Sequence, residues 1–130
     1  MATNLIRAGF PLTLHNRSRG RERLVVEAAA AGNPEPCARQ IQRAASPAET
    51  VREAAIVCLC LSNDAAVQEV LTTALAELKA GTLVIDFSTI APATSRALAA
   101  RLAERQVAYV DAPVTGGTEG AQAGTLSVLV

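Results

Sequence analysis

Apolar positions along the chain fall into two periods that take turns. Residues Ala2–Ala8 read as a helix stopped by Gly9, and Leu12–His15 as a strand. Arg21–Ala31 has a helical pattern, closed by Gly32, Asn33 and Pro34. After an irregular stretch, a short strand is expected near Gln40–Ala44. Ser46-Pro47-x-Glu49 has the spacing of a capping box with proline at the first helical position, so a short helix should run to about Glu53. The run AIVCLCL (55–61) is unbroken and rich in branched residues, as in a strand covered on both faces.

The same alternation continues to the end. Asn63 or Asp64 can cap a helix whose apolar stripe is Val67, Val70, Leu71, Ala74, Leu75 and Leu78, with Lys79 in its last turn and Gly81 just beyond. TLVIDF (82–87) reads as a buried strand. A helix from Pro92 to about Arg105 turns Leu98 and Leu102 inward. VAYVDAP (107–113) is the next strand. VTGGTEGAQAG (114–124) is a Gly-rich loop with room for one helical turn, and TLSVLV (125–130) is a final strand. Strands alternating with helices at this spacing predict a parallel α/β sheet. Ligands of such sheets bind beyond the carboxyl ends of the strands. That rule singles out HNRS, LSND, FSTI and APVTGG.

Composition narrows the chemistry. At 130 residues the chain is one domain at most, and with aromatics at 2% its core must be Ala, Val, Leu and Ile. Zero formal net charge gives no nucleic-acid or membrane surface. No apolar run reaches a membrane span, and no secretory signal is visible, so a cytoplasmic location is expected. The three cysteines, Cys37, Cys58 and Cys60, form an odd set that suits a reducing compartment. Strand periodicity puts Cys58 and Cys60 on one face, where packed core thiols are expected rather than a metal or redox pair; no metal site is expected. His15, the single histidine, reads as a polar residue at a strand end. Asp86 reads as structural.

At the strand ends, Asn16-Arg17-Ser18 offers a guanidinium fork and a hydroxyl where a dinucleotide's adenosine ribose would lie. An acid there would select the free 2′-hydroxyl; none stands between Leu12 and Gly20, which favours NADP over NAD if a dinucleotide binds at all, and taken alone Asn-Arg-Ser is also a common exposed turn. Leu61-Ser62-Asn63 offers backbone N–H groups at a helix start. Ser88 and Thr89 offer hydroxyls. Thr115-Gly116-Gly117 pairs a hydroxyl with a backbone able to approach a carboxylate closely.

Taken together, HNRS, CLSNDAAV, IDFSTIAPATSRALA and VDAPVTGGTEGAQAGTLSVLV resemble, in order and spacing, the cofactor domain of the β-hydroxyacid dehydrogenases. These are the 3-hydroxyisobutyrate dehydrogenase and tartronate semialdehyde reductase group, related to 6-phosphogluconate dehydrogenase. The resemblance covers nearly the whole chain apart from about Asn33–Arg43, for which there is no functional account. It implies a Rossmann-type doubly wound parallel sheet. By this alignment Met1 matches a methionine inside the first helix. The sheet is then incomplete, lacking the first strand and its glycine-rich loop, and residues 1–130 form a partial NADP-binding domain. The helical domain that carries the family's catalytic lysine is not in this chain. Lys79, the single lysine, is not assigned that role, and no catalytic residue is assigned.

The resemblance implies cofactor contacts from Asn16, Arg17 and Ser18, from Leu61 and Ser62, and from Thr89. It implies substrate-carboxylate contacts from Thr115, Gly116 and Gly117. Ser62 departs from the usual proline, and Thr115 stands where serine is common. The implied protein is a homo-oligomeric NADP-dependent dehydrogenase of a small 3-hydroxy acid, and this chain alone is expected to be inactive. The alternatives are a fragment of the 6-phosphogluconate dehydrogenase or imine reductase type, or a non-catalytic nucleotide- or partner-binding module.

Overall fold

The computed structural model describes residues 1–18, 20–31 and 41–130. Along the chain the elements are α1 (Ala2–Arg7), β1 (Leu12–Leu14), α2 (Arg21–Ala30), β2 (Ile41–Arg43), α3 (Pro47–Val51), β3 (Ile56–Leu59), α4 (Asp64–Ala74), β4 (Leu83–Asp86), α5 (Pro92–Ala103), β5 (Ala108–Asp111), β6 (Val114–Thr115), α6 (Gly117–Ala123) and β7 (Ser127–Val128). The expected strand–helix alternation is present, and its principal sheets are parallel. Cys37 and the expected helix stop at Gly32–Pro34 lie outside the described residues.

The chain divides into two compact units. The first comprises residues 1–46 and 116–126. Here β1 and β2 pair in parallel, Leu12 beside Ile41 and Leu14 beside Arg43. Ile6 and Ala29 form the buried centre, with Leu12, Leu14, Val25 and Ile41 packed on it. Arg7 donates to the Ala28 carbonyl at 2.8 Å, joining α1 to α2, and Asn4 Nδ2 donates to the Ala121 carbonyl at 3.0 Å, joining α1 to α6.

The second unit comprises residues 47–115 and 127–130. Its sheet has the order β3-β4-β5, all parallel, with Ile56 beside Leu83 and Leu83 beside Ala108. Val57, Leu59, Val67, Leu71, Leu78, Val84, Leu98 and Leu102 make the core, an aliphatic one as composition requires. Asn63 caps α4, its side chain accepting the Ala66 N–H at 2.9 Å. The helix ends at Ala74, five residues before the expected last turn at Lys79. The chain tightens there, with the Glu77 N–H on the Ala74 carbonyl, yet Leu78 still reaches the core. Two further differences lie near the end of the chain. The Gly-rich segment forms the seven-residue helix α6, and β7 pairs with β6 antiparallel rather than joining the parallel sheet.

One expectation is overturned. Cys58 and Cys60 are exposed, not packed core thiols. Strand alternation sends Val57 and Leu59 into the core and turns Ile56, Cys58 and Cys60 the other way, where they are exposed; Ile56 is 58% exposed. The apolar run is a strand as expected, but it is buried on one face rather than both. Among the described residues no helix is long and apolar enough to cross a membrane.

Candidate functional site

Parallel pairing brings the carboxyl ends of β1 and β2 to the same edge, where a cavity of about 300 Å³ opens. His15, Asn16, Arg17, Gly20 and Glu22 line it from the β1 side, and Arg43, Ala44 and Ala45 from the β2 side. Its size is at the small end of the range for ligand clefts. His15 Nδ1 lies 3.3 Å from the Ala44 carbonyl, and the Ala44 N–H donates to the Leu14 carbonyl, so the two strand exits are tied together.

The turn that carries Asn16, Arg17 and Ser18 is held from inside. Asn16 Nδ2 donates to the Ser18 carbonyl at 2.8 Å. Glu22 accepts the Asn16 N–H at 3.1 Å on one carboxylate oxygen and the Gly20 N–H at 2.9 Å on the other. Gly20 makes this possible with φ +90°, a left-handed conformation that folds the first turn of α2 back on the strand exit. Backbone N–H groups, its own foremost and then those of Gly20 and Asn16, hold the Glu22 carboxyl below the ordinary value of 4.5. An acid is thus present at the turn, two residues past the window in which the sequence shows none. Arg17 and Ser18 are exposed, and Ser18 lies outside the cavity lining.

In the second unit, Leu61-Ser62 and Ser88-Thr89 leave the carboxyl ends of adjacent strands β3 and β4. Buried Asp86 ends β4. One of its oxygens accepts the Ser88 N–H at 2.9 Å, and the other accepts the Tyr109 hydroxyl at 3.0 Å. Ser88 Oγ in turn accepts the Leu61 N–H at 2.9 Å. A continuous chain of bonds therefore runs from β5 through Asp86 to the exit of β3. Burial first, and then the Asp86 carboxylate, raise the Tyr109 phenol above its ordinary value of 10.0. Asp64 does not cap its own helix. It accepts the Ala91 N–H at 3.0 Å and a bond from Thr94, so α4 also fixes the loop that carries Thr89. Ser62 and Thr89 themselves are exposed.

Thr115 is exposed and ends β6. Gly116 and Gly117 follow with φ +126° and +63°. A Cβ on Gly116 would meet Leu126 Cδ2 at 3.2 Å, so both conformation and space call for glycine. Lys79 lies at the opposite, amino ends of β3 and β4, ion-paired with Glu53 at 2.8 Å. Among the described residues no group of three His, Cys, Asp or Glu side chains is placed to hold a metal ion. The hydroxyl and glycine positions were legible in the sequence. The contacts of Glu22, Asp64 and Tyr109 were not, because each bonds a residue brought near by the fold.

Over residues 1–130 the chain matches the family described as the NAD binding domain of 6-phosphogluconate dehydrogenase. It is 36% identical to the NAD-dependent L-serine dehydrogenase of Pseudomonas aeruginosa, over all of this chain and 41% of that protein. Among solved structures it is similar to Mycobacterium tuberculosis 3-hydroxyisobutyrate dehydrogenase with L-serine, at TM-score 0.80 and 30% identity, covering 98% of this chain and 40% of that one. It is also similar to Psf3 in complex with NADP+ and 2-OPP, at TM-score 0.81 and 31% identity, covering 98% and 42%. The chain therefore spans about two-fifths of the length of these relatives.

Proposed function

The chain belongs to the family of the NAD binding domain of 6-phosphogluconate dehydrogenase, and from that premise we propose that it is the cofactor-binding part of an NADP-dependent dehydrogenase of a small 3-hydroxy acid such as 3-hydroxyisobutyrate. The observation that carries the reading is the cavity after β1, with Asn16 and Arg17 on a turn held from within.

The donor set fits the group. Asn16 and Ser18 supply hydrogen bonds to the adenosine ribose, and Arg17 supplies the fork suited to a 2′-phosphate. Leu61 and Ser62 hold the middle of the cofactor, and Thr89 lies toward the nicotinamide. Bound NADP would supply the hydride acceptor. Thr115, Gly116 and Gly117 orient the substrate carboxylate with a hydroxyl and two backbone N–H groups. Lys79 is not assigned the proton-transfer role of such enzymes, since it lies at the amino ends of β3 and β4, opposite Ser62 and Thr89. Catalysis is therefore assigned to the full enzyme, working as a cytoplasmic homo-oligomer, and none to this chain alone. Exposed thiols at Cys58 and Cys60 are compatible with a reducing compartment.

The test is oxidation of a panel of hydroxy acids by the full enzyme, followed by nicotinamide absorbance. Turnover of 3-hydroxyisobutyrate with NADP supports the reading. Turnover of 6-phosphogluconate alone would move the substrate class. Failure to bind any dinucleotide would leave the module reading in place.

A further inference from the structure

Two cations face the cavity from different strands. Arg17 stands in the turn after β1, and Arg43 closes β2 directly beside Leu14. Both side chains are exposed, and among the described residues neither guanidinium has a hydrogen-bond or ion-pair partner. Two other arginines do pair with carboxylates, Arg23 with Glu27 at 2.6 Å and Arg52 with Glu77 at 2.9 Å. Among the described residues the carboxylate lining this cavity is Glu22, and it is turned to the N–H groups of Asn16 and Gly20. Among the described residues the lining carries two guanidiniums and one carboxylate. Two guanidiniums without protein partners among those residues can both pair with a phosphate monoester, which bears nearly two negative charges near neutral pH. A ribose diol brings no charge to answer them.

We propose that Arg43 is a specificity-determining residue that, together with Arg17, grips the 2′-phosphate of the dinucleotide from the neighbouring strand. The inference rests on the cofactor reading above and extends it to a residue outside the Asn-Arg-Ser turn. Two forks approaching from two strands enclose a phosphate more fully than one exposed arginine, whose lone ion pair is weak in water. Preference for the phosphorylated cofactor then depends on both.

The probes are adenosine 2′,5′-bisphosphate and adenosine 5′-monophosphate, titrated calorimetrically into the protein and its R43Q, R43K and R17Q variants, with circular dichroism as the check on folding. R43Q should weaken the bisphosphate by about tenfold and leave the monophosphate unchanged, and R43K should fall between. In the unsubstituted protein, added salt should weaken the bisphosphate more steeply than the monophosphate. Unaltered bisphosphate affinity in R43Q, or equal loss of both ligands, overturns the role of Arg43 while the nucleotide site stands. Binding of neither probe by the unsubstituted protein overturns the cofactor reading, and this inference falls with it.

Discussion

Tyr109 donates its hydroxyl to Asp86 at 3.0 Å, across the β4–β5 pair. Asp86 is fully buried, so this bond and the one from the Ser88 N–H compensate a carboxylate that has lost its water. Tyr109→Phe removes one of the two. It should cost about 1.5–3 kcal/mol of stability, the range for a hydrogen bond to a charged group, read from denaturant unfolding.

Tyr109 is the single tyrosine and there is no tryptophan, so its ionisation can be followed by ultraviolet absorbance without interference. The folded phenol lies above its ordinary value of 10.0, which favours the protonated form in the folded state. Its contribution to stability is therefore complete below pH 10 and declines as pH rises beyond it. Tyrosinate absorbance should emerge later in native protein than in denaturant. Coincident titration curves would show that neither burial nor Asp86 disfavours the tyrosinate.

Ser88→Ala strips the acceptor from the Leu61 N–H. A loss of about 1 kcal/mol in stability is expected. Dinucleotide affinity should drop further than stability alone explains, because the exit of β3 loses its anchor. Equal affinity in the variant would detach this network from the cofactor site.

Glu22 organises the Asn16–Ser18 turn through backbone N–H groups. Its carboxyl is held below 4.5, so its stabilising effect is present above that value and is lost as pH falls beneath it. Glu22→Gln removes the negative charge and one of the two acceptors, because an amide NH2 cannot accept an N–H. It should shift cofactor preference further toward the phosphorylated form, measured as the ratio of NADP to NAD affinities.

Gly116→Ala meets both a positive φ and Leu126 at 3.2 Å. A loss of about 1–3 kcal/mol is expected, with a raised KM for the hydroxy acid in the full enzyme. Gly117→Ala has open space around its Cβ, so it should be the milder of the two.

Much of this arrangement is legible in the linear chain. Unbroken branched runs mark β3 and β4, Asn63 announces the start of α4, and the glycines after Thr115 announce a close backbone. The remainder depends on neighbours that only folding supplies. Glu22 stands outside the strand end in sequence, and left-handed Gly20 carries it back to Asn16. Arg43 is 26 residues from Arg17, and the parallel β1–β2 pairing brings both to one cavity. Periodicity correctly put Cys58 and Cys60 on one face. What covers a face is a property of the other elements, and here the two thiols are exposed.

The most direct test of the cofactor assignment is a fluorescence titration of NADPH and NADH against the protein. Tighter binding of NADPH, abolished or sharply weakened by Arg17→Gln, is the predicted result. Equal affinity for the two, or tighter NADH binding, would contradict the assignment of Arg17 to a 2′-phosphate.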